Sequence, residues 1–318
     1  MYAPSDETMT DRQRTEADPP GLALRRATPD DTDACHRVMW HAITDLARRH
    51  GMPMEGTADD WWRSSEPQFR YLSHAAAEWW VAEESTTGSI VGYARSIERG
   101  GLLELTEFFV HPGRQGKGVG RALLARAFPL GRGEVRSIIA TTDVRALGRY
   151  YAADTVPRFP LLTLTGAPAD PGPIAGLEVV HLDGTVPGQL ADVAAVERAV
   201  LGYPRGETEL RWILERREGY LYRRAGAVVG FAFVGRDGAG PIAALAAEDL
   251  AAELLHVEGR ARALDVPRLV LEVPGLNAVA VRHLMARGFR IDPWVNLLMS
   301  NRPFGRFDRF VAFSPVFL

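Results

Sequence analysis

One cysteine and one lysine stand in a chain of 318 residues. The lone Cys35 excludes an internal disulfide and any cysteine-cluster metal site. It reads as a helix residue without chemistry. No apolar run approaches the roughly 20 residues that a membrane-spanning helix requires. Neither charge sign is in large excess: the net charge is −3, so the basic footprint of a nucleic-acid binder is missing. His, Asp and Glu nowhere cluster at metal-ligand spacing. The first twenty residues, MYAPSDETMTDRQRTEADPP, lack the apolar core of a secretory signal and read as a polar, disordered tail. The expectation is a cytoplasmic enzyme without metal, membrane or nucleic-acid partner.

What is present is an ordered series of periodic segments. Residues 22–28 alternate as a strand, and PDDTDACHRVMWHAITDLARRH has helical spacing with Thr28 or Asp30 as its cap. One or two short helices follow in TADDWWRSSEPQFRYLSH. WWVAEE, SIVGYARSIE and LLELTEFFV read as three strands joined by tight turns at Thr87-Gly88 and Gly100-Gly101. A glycine-rich corner leads into a helix at 118–130, then a buried strand RSIIATT, a helix DVRALGRYYAA and a strand RFPLLTLTG. GAPADPGPIAG (166–176) has linker composition. The order then recurs: strand 177–183, helices 188–200 and 209–218, hairpin 219–235, strand 240–246, helix 247–265, strand 268–274, helix 277–289, and closing strands PWVNLLMS and RFVAFSPVFL. This is an internal repeat of element order. It predicts an α/β fold of two tandem halves, each a mixed, mainly antiparallel sheet flanked by helices. The expected boundaries are a tail at 1–20, one domain at 21–166, a linker at 167–176 and a second domain at 177–318.

The sharpest local signal is HPGRQGKGVG (111–120), between the strand LLELTEFFV and the helix RALLARAF. Glycines at 116, 118 and 120 strip side chains from a turn that enters a helix. Its backbone N–H groups can converge on an anion, with the helix N-terminus adding positive charge. Arg114, Gln115 and Lys117 supply further donors, although the single lysine mostly reflects a preference for arginine throughout the chain. A Walker loop needs Ser or Thr after Gly-Lys, and Gly118 stands there. A dinucleotide fingerprint belongs after the first strand, and this corner follows the fourth.

The run Val110-His-Pro-Gly-Arg-Gln115-Gly-Lys-Gly118-Val-Gly120 resembles the acyl-CoA loop of the GNAT acetyltransferases, and the surrounding element order resembles that fold. The resemblance implies that the loop amides of Gln115, Gly116, Lys117, Gly118, Val119 and Gly120 hold a CoA pyrophosphate. It implies that the strand end, Phe108 to Val110, lends backbone groups to the pantetheine arm. Acetyl-CoA is the expected co-substrate. A later family motif is matched by Asp143, Ala146 and Tyr150, with Asp154-Thr155 in place of Gly-Phe. Tyr150 is then the expected general acid for the thiolate, with Tyr151 as fallback.

The chemistry also needs a base. An alkylamine with a pKa near ~10.4 is neutral in roughly one molecule in a few thousand at pH 7, and only the neutral form attacks a thioester. Glu104, six residues before Val110, stands where some family members carry a glutamate base. Glu107 points to the opposite face of the strand and is the alternative. The bland reading makes both solvated strand charges. Trp61, Trp62, Phe69 and Tyr71, with Glu55, Asp59 and Asp60, are placed to wall an acceptor pocket for a small-molecule amine, although Asp59 and Asp60 also suit a helix first turn. His41 and His111 read as surface or helix-end histidines.

The second half matches the later motif at Asn277, Ala280, Gly288 and Phe289. Leu284 stands where the acid tyrosine belongs, however. Glu248 and Asp249 replace the glycine corner and oppose a phosphate. One active half and one degenerate half are expected, as in other tandem GNAT proteins. The function this implies is acetyl transfer from acetyl-CoA to a small amine. Another acyl-CoA, a protein amine, or a non-catalytic CoA-binding module are the alternatives.

Overall fold

The computed structural model describes residues 18–170, 174 and 176–318. Residues 1–17 of the expected tail, and 171–173 and 175 of the expected linker, lie outside the described residues. The chain forms two compact units, Met1–Ser96 with Glu107–Leu130, and Ile97–Thr106 with Gly131–Leu318.

The first unit contains β1 (Leu22–Arg26), α1 (Thr32–Arg49), α2 (Ala58–Ala75), β2 (Glu78–Glu84), most of β3 (Ile90–Arg99), the end of β4 (Leu102–Val110) and α3 (Val119–Ala127). Its strands lie in the order β1-β2-β3-β4, with β1 and β3 antiparallel to β2. Helix α2 starts where a capping box closes: Thr57 Oγ1 accepts from Asp60 N at 3.2 Å, and the Asp60 carboxylate accepts from Thr57 N at 3.1 Å. That arrangement satisfies two orphan donors of the first turn. Cys35, Val38 and Met39 of α1 pack with Phe69 of α2 on Trp79, Val81 and Tyr93 of the sheet. Burial pushes the Cys35 thiol well above its usual range, which fits a core residue without chemistry.

The second unit holds β5 (Val135–Ala140), α4 (Val144–Ala152), β6 (Val156–Gly166), β7 (Glu178–Leu182), α5 (Gln189–Leu201), α6 (Glu207–Leu214), β8 (Glu218–Arg224), β9 (Ala227–Gly235), β10 (Gly238–Ala244), α7 (Leu250–Ala263), β11 (Leu269–Pro274), α8 (Ala278–Ala286), β12 (Arg290–Ser300) and β13 (Phe310–Val311). From β4 the strand order is β5-β12-β6-β11-β10-β9-β8-β7, with β13 beside β10. The repeat of element order is therefore real, but its closing strands are exchanged. β12 lies antiparallel between β5 and β6, and β6 pairs with β11. The segment RFVAFSPVFL is not a full strand: only Phe310–Val311 is in strand conformation, followed by a single bridge from Ala312 to Glu272.

The two halves also share a tetrapeptide. Val91-Gly92-Tyr93-Ala94 lies on β3, and Val229-Gly230-Phe231-Ala232 lies on β9. A Cβ on Gly92 would stand 3.1 Å from Leu123 Cδ1 and 3.2 Å from the Phe109 carbonyl. On Gly230 it would collide with the Glu253 carboxylate and stand 2.8 Å from the Ala243 carbonyl. Each glycine lets the following helix, α3 or α7, lie close on its sheet. Leu123 and Glu253 are thus equivalent positions.

Candidate active site

The glycine corner belongs to the first unit. After β4, a 3-10 turn at Pro112–Arg114 leads into it. The Gln115 side chain donates from Nε2 to the Val110 carbonyl at 3.0 Å, tying the corner to the strand end. Gly116 has φ +81° and Gly118 φ +85°, a backbone region that few side-chain-bearing residues adopt. Gly118 is the N-cap of α3. A Cβ on Gly116 or Gly118 would meet nothing within 4 Å, so the space over the corner is open. The first-turn N–H groups of α3 find no acceptor inside the helix, and they sit at its positive end.

Gly120 has a different task. A Cβ there would stand 2.9 Å from Phe108 Cζ and 3.8 Å from Val110 Cγ2. Its bare backbone therefore lets α3 lie against the end of β4. Phe108, Val110 and residues 115–120 thus come together in one place. The donors expected from side chains are mostly engaged elsewhere: Gln115 on Val110, and Arg114 in an ion pair with Glu84. Exposed Lys117 makes no ion pair among the described residues, so this lysine is the available cation. These residues fit a pyrophosphate held by amides with one added positive charge.

Glu104 and Tyr150 belong to the second unit. The parallel ladder of β4 with β5 ends at Leu105 opposite Ile138, well before β4 itself ends. Glu104 is wholly buried. Its carboxylate accepts from Arg99 Nη1 at 3.1 Å and from the Leu318 amide at 2.8 Å. Arg99 also binds Glu209 through two nitrogens, at 3.0 and 2.8 Å, and Arg205 bridges Glu209 and Glu197. Burial raises the Glu104 pKa against the lowering pull of Arg99. Glu107, in the first unit, is equally buried. It pairs with Arg95, which donates at 2.7 Å to Ser73 and stacks 5.0 Å over Trp79. Both strand glutamates are therefore internal ion-pair members, and the reading of them as solvated strand charges fails.

Tyr150 is buried on α4 while Tyr151 is 54% exposed. Burial, then the Asp143 carboxylate, raises the Tyr150 phenol well above its usual range. It therefore stays protonated at neutral pH. The missing Gly-Phe is compensated. Asp154 takes the left-handed cap at φ +60°, and Thr155 donates from both N and Oγ1 to the Tyr150 carbonyl, at 3.1 and 2.8 Å. In the second half the Phe289 amide donates to the Leu284 carbonyl at 3.0 Å, so Leu284 is the counterpart of Tyr150.

The aromatic wall is packed on itself. Trp61 and Trp62 flank His36 at 5.4 and 4.7 Å, Phe69 is core, and Asp60 is occupied by Thr57 and Arg63. A cavity of about 700 Å³ lies instead beside α1, lined by Arg25, Asp31, Arg37, His41, Glu84, His111 and Arg114 among others. Arg25 pairs with Asp31, and Arg114 with Glu84. Its charge favours an anionic group over an ammonium.

At the second half's corner, Asp249 is buried and paired with Arg224. It is not the outward charge expected of it, and Glu248 alone is exposed. Among the described residues no helix is long and apolar enough to cross a membrane, and no group of three His, Cys, Asp or Glu could hold a metal ion.

Comparison with known proteins agrees with this fold. Residues 75–153 match the family model of the acetyltransferase (GNAT) domain. No curated protein sequence matches the chain. A provisionally assigned acetyltransferase from Pyrococcus horikoshii has a similar fold, with TM-score 0.73 and 15% identity over 95% of this chain and 98% of its own. A GCN5-related N-acetyltransferase from Sphaerobacter thermophilus has TM-score 0.59 and 16% identity over 91% and 98%. A tandem GNAT protein from the clavulanic acid biosynthesis pathway has TM-score 0.55 and 16% identity over 89% and 99%.

Proposed function

We propose that this chain, which carries a GNAT domain within a tandem GNAT fold, transfers an acetyl group from acetyl-CoA to the amine of a small molecule. The observation that carries the reading is the open corner at Gly116–Gly120. Two glycines there have left-handed backbone, and nothing covers them. The amides of residues 115–120 and Lys117 hold the pyrophosphate, and Phe108 to Val110 guide the pantetheine arm. The neutral amine attacks the thioester carbon, a C–N bond forms, the C–S bond breaks, and the amine's proton ends on the CoA sulfur.

Tyr150 is proposed as the donor to that sulfur. A phenol is protonated at neutral pH, so it acts as a hydrogen-bond donor as the thiolate departs. Glu104 is proposed as the base, reached through water. Burial raises its proton affinity towards neutrality, where a general base is most effective, although Arg99 and the Leu318 amide already hold it.

The test is thiol release from acetyl-CoA against a panel of small amines, lysine peptides and protein N-termini, with propionyl- and succinyl-CoA in parallel. Turnover with a small amine and acetyl-CoA is expected. Tight CoA binding without thiol release from any donor and acceptor pair would leave a binding module instead.

A further inference from the structure

The second half repeats the strand pair at which the first half's ladder opens. β4 and β5 are parallel and pair over four positions before β4 runs on beyond β5. Their counterparts β10 and β11 are also parallel, but they pair only at Ala239 and Leu271. Beyond that point the gap is filled. β13 lies antiparallel on β10, with Val311 opposite Ile242 and Phe310 opposite Ala243. On the other side Ala312 bridges to Glu272 of β11, its amide donating to the Glu272 carbonyl at 2.8 Å.

Three further contacts hold this segment by its backbone. Asn277, wholly buried at the start of α8, donates from Nδ2 to the Phe310 carbonyl at 3.0 Å. Buried Arg217 donates from Nη1 to the Phe313 carbonyl at 3.3 Å and to the Gly240 carbonyl at 2.6 Å, with its guanidinium 4.2 Å over the Phe313 ring. The Ala312 carbonyl lies so close to Gly240 that any Cβ there would collide with it. The segment is thus gripped on both edges through groups every peptide has, which is how a groove binds a strand by augmentation. Phe310, Val311, Ala312 and Phe313 are all buried.

We infer that the second half has kept the fold's cleft as a strand-binding groove whose ligand is the chain's own segment Phe310–Phe313, and that this occupant closes the half to acyl-CoA. The inference rests on the reading of the first half as the acyl-CoA site. The groove offers its donors and acceptors to a strand backbone. At its mouth Glu248 stands where the first half has glycines. Cofactor is therefore excluded twice, by occupancy and by charge.

The experiment is hydrogen exchange on the full chain, free and with saturating acetyl-CoA, beside a calorimetric titration. Amides of 311–313 are expected to exchange about a thousandfold or more slowly than in an unstructured peptide, because opening them requires opening the sheet. Acetyl-CoA is expected to leave that protection unchanged, to protect 115–120, and to bind once per chain. In Ala312→Pro, which removes the amide donated to Glu272, exchange around 311–313 is expected to rise about tenfold or more, with one acetyl-CoA still bound. Asn277→Asp keeps the helix-cap acceptor and loses the donor to Phe310, and it serves if the proline variant does not fold. Fast exchange of 311–313 in the native chain, deprotection by acetyl-CoA, or a second acetyl-CoA bound to the native chain overturns the inference. Failure to protect 115–120, with 311–313 still slow, refutes the first-half assignment instead.

Discussion

Replacing Glu253 by leucine is expected to stabilise the second unit. Glu253 on α7 is wholly buried, and neither carboxylate oxygen has a hydrogen-bond partner among the described residues. It sits against Gly230 at the position where the first half has Leu123 against Gly92. Burial and the nearby Asp249 carboxylate raise its pKa well above the usual value, which favours the neutral acid in the folded chain. Burying such a group without partners costs roughly 1–3 kcal/mol, and leucine removes that cost while filling the site. For a unit of this size the gain is a rise in melting temperature of roughly 2–10 °C, read from the transition of the second unit, since a chain of two units need not melt in one step. The pH dependence follows from the raised pKa. Below the unfolded value near ~4.3 both states are protonated and the group contributes no slope. Above it the unfolded chain releases a proton that the folded chain keeps, so stability falls by about 1.4 kcal/mol per pH unit until the folded pKa is reached. Glu253→Leu and Glu253→Gln both remove this slope, and only leucine also removes the full burial cost. Melting curves from pH 5 to 8 decide it. An unchanged slope in both variants, or a lower melting temperature for leucine at pH 7, refutes the reasoning.

Five other outcomes are expected. Gly118→Asp should abolish acetyl-CoA binding by calorimetry and cost about 1 kcal/mol of stability from its left-handed backbone; Gly120→Asp should also unseat α3 from Phe108 and lower the melting temperature further. Tyr150→Phe should cut kcat roughly a hundredfold or more and leave acetyl-CoA affinity unchanged, whereas equal turnover moves the role to solvent. Glu104→Gln should shift the pH profile of kcat/KM if the carboxylate is the base; a lower melting temperature with an unshifted profile makes it an ion-pair scaffold alone. A fragment of residues 1–170 should be insoluble or inactive, because it lacks β12 between β5 and β6 and β11 beside β6; a soluble, active monomeric fragment would contradict this.

Nearly every helix and strand was legible, because each carries its own period and turn residues. The glycine corner was legible for the same reason: its meaning is local. Strand neighbours were not. VPRFPLLTLTG and RIDPWVNLLMS are similarly apolar, and alternation says which face a residue takes but not which strand lies beside it. The roles of Glu104 and Glu107 were half legible. Alternation put them on opposite faces, but both faces are covered, and their partners Arg99 and Arg95 lie on the preceding strand. The shared Val-Gly-Tyr/Phe-Ala was also readable, but the stretch between it and the following helix differs in length between the halves, so matching Leu123 with Glu253 needed the contacts at Gly92 and Gly230.

The departures in the second half have a common logic. A carboxylic acid buried without partners, a leucine at the tyrosine position, an acid at the corner and a strand laid into the cleft would each impair a working transferase. None would harm a half that served structure alone, as proposed above. Such a role fits the exchanged strands: β5 gains an antiparallel neighbour from β12, and β6 is closed on its other edge by β11. An uncovered β5 or β6 would present unpaired N–H and C=O groups along an apolar strand, the form most prone to aggregate. On that reading β12 is the part of the second half that the fold requires. Substitutions that disturb the ladder between Leu297–Ser300 and Ser137–Ala140 should weaken folding even though they lie far along the chain from the glycine corner.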